Sequence, residues 1–128
     1  MKDFSDPSPI ATVEQFRKAL LTVRDSISQK DLAMLRAHCR APGHTITTQQ
    51  LAQEFGYSHY IAASGQYGVL ARQIADALHH KPGPFPDGKK HWWHTLAYGN
   101  NGEPFEAECY AWIMRPELVQ ALQEMRWA

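Results

Sequence analysis

A chain of 128 residues, 44% hydrophobic and 20% charged, has the size of one globular domain and is too apolar to remain disordered. Its 13 basic and 13 acidic residues cancel, which excludes the strongly basic surface on which non-specific nucleic-acid binding rests. No apolar run approaches the roughly 18–20 residues of a membrane span, and the opening MKDFSDPSPIA lacks an apolar signal-peptide segment. With no secretion signal, Cys39 and Cys109 are expected to be reduced thiols in a cytoplasmic protein.

Residues 1–11 carry Pro7 and Pro9 among Asp and Ser and predict a flexible tail, leaving 12–128 as a single domain. Thr12 with Gln15 forms a capping box. Val13, Phe16, Leu20, Val23 and Ile27 then trace one apolar helical stripe. Ser28 caps a second helix that points Leu32, Leu35 and Cys39 inward, with Met34 and His38 to one side. Ala41-Pro42-Gly43 ends it, and an extended link places Ile46 in the core.

Thr47 and Gln50 make another capping box, opening a short helix with Leu51, Ala52 and Phe55 buried. Gly56 suits a left-handed turn. Ser58 then caps a longer helix reaching Leu78, with Ser64-Gly65 as a bend or break inside it. The Pro/Gly-rich segment His79–Lys90 predicts a loop. His91–Tyr98 and Phe105–Met114 predict two strands joined by the turn Gly99-Asn100-Asn101-Gly102. Pro116 starts a closing helix with Leu118, Leu122 and Met125 on its core face.

Ala52 and Gly56 have the spacing of a small residue and a turn glycine in a helix-turn-helix, and a following hairpin would be its wing. The expected fold is therefore α+β: a helical bundle with a helix-turn-helix-like core and a C-terminal two-stranded hairpin, winged-helix-like. On that reading Tyr57, His59, Tyr60, Gln66, Tyr67, Arg72 and Gln73 face double-stranded DNA, with Lys89 and Lys90 beside them. The bland alternative is a helical scaffold. Another is a protein-interaction or homodimerisation module built on Trp92, Trp93, Tyr98, Tyr110 and Trp112, although aromatics in a hairpin against helices are core by default.

Catalytic signals are weak. His91 and His94 would point to opposite faces of a strand, and the cysteines supply no paired metal-ligand set, so no metal or cofactor is expected. A hydrolase would have to gather His91 or His94 with Glu106 or Glu108. No P-loop, G-x-S-x-G or H-E-x-x-H is present.

The segments LRAHCRAPGHTITTQQLAQEFGY, AASGQYGVLARQIADAL, HWWHTLAYG and WIMRPELVQALQEMRW together resemble a small bacterial winged-helix-like domain. That domain occurs alone or N-terminal to HNH-type nuclease domains in restriction-like systems. The resemblance spans roughly residues 32–127 and implies a non-catalytic accessory module that senses DNA or serves a nuclease partner. No HNH-type His/Asn cluster occurs in these residues, so nuclease activity does not come with it. The family often carries Asn where Ser64 or Gly65 stands here.

Overall fold

The computed structural model describes residues 6–82, 91–99 and 111–128. Among them the protein is α+β, with five helices and a small three-stranded antiparallel sheet. Both expected capping boxes form, Thr12 before α1 (Val13–Val23) and Thr47 before α3 (Thr48–Phe55). Ser28 and Asp31 form a third before α2 (Gln29–Arg40). In each, the cap hydroxyl accepts from the third helical N–H while that residue's side chain accepts from the cap N–H. α1 stops at Val23, a turn short of Ile27, which packs half-buried against the core. The buried stripe of α2 is Asp31, Met34, Leu35, His38 and Cys39. Met34 and His38 thus lie inside rather than to one side, and Leu32 is only half-buried.

The link after α2 becomes a 3-10 turn, Pro42–His44, and a strand, β1 (Thr45–Thr47). Gly43 takes φ 63° in that turn, the left-handed region that favours glycine. β2 (Ala97–Gly99) and β3 (Ala111–Met114) follow α4 (Tyr60–Leu78), and the sheet order is β1-β3-β2. The hairpin expected to stand alone therefore has a third strand. Ile46 and Gly99 both register with Trp112, and Ala97 with Met114. These five residues share the buried face of the sheet, so Trp112 and Met114, not Ala111 and Ile113, point into the core.

The expected strand over His91–Tyr98 is mostly a 3-10 turn, Trp92–Thr95. The reason is packing: Trp93, His94, Thr95, Leu96 and Ala97 are all buried. A strand sends alternate residues to opposite faces, whereas a tight turn wraps consecutive ones into one core. The expected turn at 100–102, the first part of the return strand and Cys109 lie outside the described residues. Cys39 is buried and free, and burial raises its thiol pKa.

α5 (Pro116–Glu124) closes the fold against α1. Its N-cap, Arg115, is fully buried. Arg115 Nε donates to the His94 carbonyl at 3.0 Å, and Nη1 to the Ser8 carbonyl at 3.0 Å. Nη2 lies 3.1 Å from His94 Nδ1, and the Arg115 main-chain N–H donates to Leu96 O at 3.0 Å. Burial lowers its pKa to about 10, opposed by Glu117 and Asp6, so it stays charged at neutral pH. One guanidinium thus ties the segment before α1 to the 3-10 turn and to α5, and that end of the expected flexible tail is held. No helix among the described residues is long and apolar enough to cross a membrane.

Replacing Arg115 with Met strands two carbonyls. It should lower unfolding free energy by about 2–4 kcal/mol in urea titration. A loss under about 1 kcal/mol would mean the guanidinium is not a fastener.

Candidate functional site

The α3–α4 unit is the place where sequence predicts function. α3 ends on Gly56 in the left-handed region, φ 76° and ψ 21°. A Cβ there would meet no neighbour within 4 Å, so the backbone alone calls for glycine. His59 rather than Ser58 caps α4, its Nδ1 accepting from Ile61 N–H at 3.2 Å. α4 then runs unbroken for 19 residues through Ser64 and Gly65. Burial of Ala63, Tyr67, Leu70, Ala71 and Ile74 on one side outweighs the glycine penalty.

The expected DNA contacts divide into three groups. His59 and Arg72 are exposed. The His59 ring stacks on half-buried Tyr60, with centroids 4.6 Å apart, and the Arg72 guanidinium lies 5.2 Å from the Trp92 ring centroid. Half-buried Tyr57 carries the Lys30 ammonium 4.1 Å above its ring, a cation–π contact. Gln66 and Gln73 form the second group, at the margin of the exposed face. Gln66 Nε2 donates to Asp31 Oδ1 at 3.0 Å, and Gln73 Oε1 is buried without a partner. Tyr67 is the correction: it is fully buried and out of reach of any partner. Lys89 and Lys90 lie outside the described residues.

Tyr67 is instead the hub of the core. Its ring stacks on Trp112 at 5.3 Å and 22°, and Trp112 stacks on Trp93 at 5.5 Å and 25°. His38 Nδ1 lies 2.7 Å from the Tyr67 hydroxyl and Nε2 2.8 Å from the Trp112 carbonyl. A carbonyl can only accept, so Nε2 carries the proton, and neutral Nδ1 accepts from the Tyr67 O–H. Burial, above all, pulls the His38 pKa from 6.5 to about 4, and burial also raises that of Tyr67. Trp93 and Trp112 are buried and Trp92 is half-buried beneath Arg72, so these three tryptophans form no exposed aromatic patch; Tyr98 is half-buried and Tyr110 lies outside the described residues. His91 and His94 are buried too; Glu106 and Glu108 lie outside the described residues. No group of three His, Cys, Asp or Glu among the described residues could hold a metal.

The exposed arc of α4 was not legible while Ser64-Gly65 stood as a break. It comprises Ile61, Ala62, Gly65, Val69, Arg72 and Asp76. Ile61 is 62% and Val69 56% exposed, so the arc is apolar for its first turns and carries a single cation and a single anion. A continuous helical wheel from Tyr60 finds it directly. Compared with known proteins, the chain matches no family model, no curated protein and no solved structure.

His38 links stability to pH. The folded pKa of about 4 lies below the ordinary 6.5, so the unfolded chain binds more protons between these values. The His38 contribution is complete above the unfolded pKa and is lost as pH falls toward the folded one. Relative to a His38→Gln variant, the wild type should lose about 2 kcal/mol between about pH 7 and about pH 5 in urea titrations. A constant difference between the two proteins would contradict it.

Proposed function

We propose that this domain is a non-catalytic binding module of winged-helix type that docks the exposed arc of α4 on duplex DNA, as an accessory to a DNA-acting system such as a nuclease partner. The observation that carries the reading is the order of elements: α2, β1, α3, Gly56, α4, β2, β3, with β3 central in the sheet. That order supports a winged-helix reading in which α4 serves as the recognition helix. Shared topology does not carry a function by itself, so the side chains must support it. His59, Arg72 and Lys30 supply polar and cationic groups near α4. Gly65 adds a further argument. A Cβ on it would meet nothing within 4 Å, so no internal contact repays its helix penalty of about 1 kcal/mol. Close approach of a partner backbone would.

A second reading, a protein partner on the same arc, is favoured by the exposure of Ile61 and Val69. The two differ in salt dependence. DNA binding through so few cations has a shallow slope, about −2 in log K against log salt; an apolar contact has almost none.

The test pairs stability with binding. Gly65→Ala should raise unfolding free energy by about 0.5–1 kcal/mol while weakening retardation of a mixed-sequence duplex at low salt. Arg72→Glu should weaken it too. No retardation by wild type at about 100 µM protein would sink the DNA reading.

A further inference from the structure

A cleft is lined by residues of α2, α3 and the segment between them, including Thr45 and Ile46 of β1. The cleft has a volume of about 860 Å³. Its apolar floor is Ala33, Ala37, Ile46 and Phe55. The two alanines stand one helical turn apart and leave room for side chains entering from outside. Arg36 and Arg40, at the same spacing, line the α2 wall. Neither forms an ion pair among the described residues. Arg36 Nε donates to the Trp127 carbonyl at 2.6 Å, which holds that side chain in place.

The facing wall adds donors. Gln50 spends its Oε1 on the Thr47 N–H at 2.9 Å, which leaves its amide NH2 to donate. Two guanidiniums with no carboxylate partner among the described residues, Arg36 keeping its Nη donors beyond the Nε bond to Trp127, and a spare amide call for an acceptor-rich, anionic occupant. Its apolar floor calls for hydrophobic side chains on the same occupant, which a phosphate backbone does not offer. We propose that this cleft docks an acidic, amphipathic peptide segment of a partner protein. The carboxylates of that segment meet Arg36 and Arg40, and its apolar residues sit on Ile46 and Phe55. Glu54, on the α3 wall, fixes the orientation: the acidic edge of the peptide lies along α2, with a neutral or basic residue against Glu54. No residue of α4 lines the cleft, so the site is separate from the DNA-facing arc and does not rest on it.

Fluorescence anisotropy on the full chain tests this with three labelled probes. They are an amphipathic peptide with Glu and Leu at i, i+4 spacing, the same peptide with Lys for Glu, and a mixed-sequence duplex. The Glu peptide should bind saturably and the Lys peptide should not. Arg40→Glu should weaken the Glu peptide about tenfold. Arg40 is exposed and makes no side-chain hydrogen bond among the described residues, so this variant should keep the wild-type circular dichroism. Ala37→Trp, which fills the floor, should abolish binding as well. The proposal is overturned by the absence of saturable binding of the Glu peptide. It is also overturned if Arg40→Glu leaves the peptide unaffected but weakens the duplex, which would make the cleft a phosphate surface.

Discussion

His38 is the point on which the rest of the structure depends. Its imidazole joins three elements that are far apart in sequence: α2, which carries it, α4 through the Tyr67 hydroxyl, and β3 through the Trp112 carbonyl. A buried polar side chain costs stability unless both its donor and its acceptor are used. Here both are used, and the geometry allows one tautomer. The stacked rings of Tyr67, Trp112 and Trp93 fill the space beside it. The orientation of α4, and therefore which of its residues face outward, follows from this junction.

Arg115 does a related task three residues beyond Trp112, binding the segment before α1 to the 3-10 turn at His94. Tyr67, the Trp93-His94 pair and Arg115 thus supply core fasteners. Their role is to hold the scaffold. The exposed residues around them lie on the arc of α4 and along the α2–α3 cleft.

What was legible in the sequence was local. Capping at Thr12, Ser28 and Thr47, the left-handed Gly56 and the inward Ile46 each follow from interactions within a few residues. What was not legible depended on distant partners. His38 is polar, so although it lies on the buried stripe of α2, nothing near it in sequence signals that Tyr67 and Trp112 will satisfy it. Ser64-Gly65 weakens a helix locally, yet burial on the far side of α4 keeps it continuous. Trp92 and Trp93 favour strands by propensity, but consecutive burial requires a tight turn. Of the expected site, the His59–Tyr60 end and Arg72 are at the surface of α4, whereas Tyr67 belongs to the core. An aromatic residue in a helix looks the same from sequence whether it stacks on a base or on a tryptophan.

The most direct test of this account is the protonation of one imidazole. Long-range proton–nitrogen correlation spectroscopy on the labelled protein should show His38 neutral, with the proton on Nε2, and unchanged down to about pH 5. Titration near the ordinary histidine value, or a proton on Nδ1, would contradict the His38 junction and the placement of α4 that follows from it.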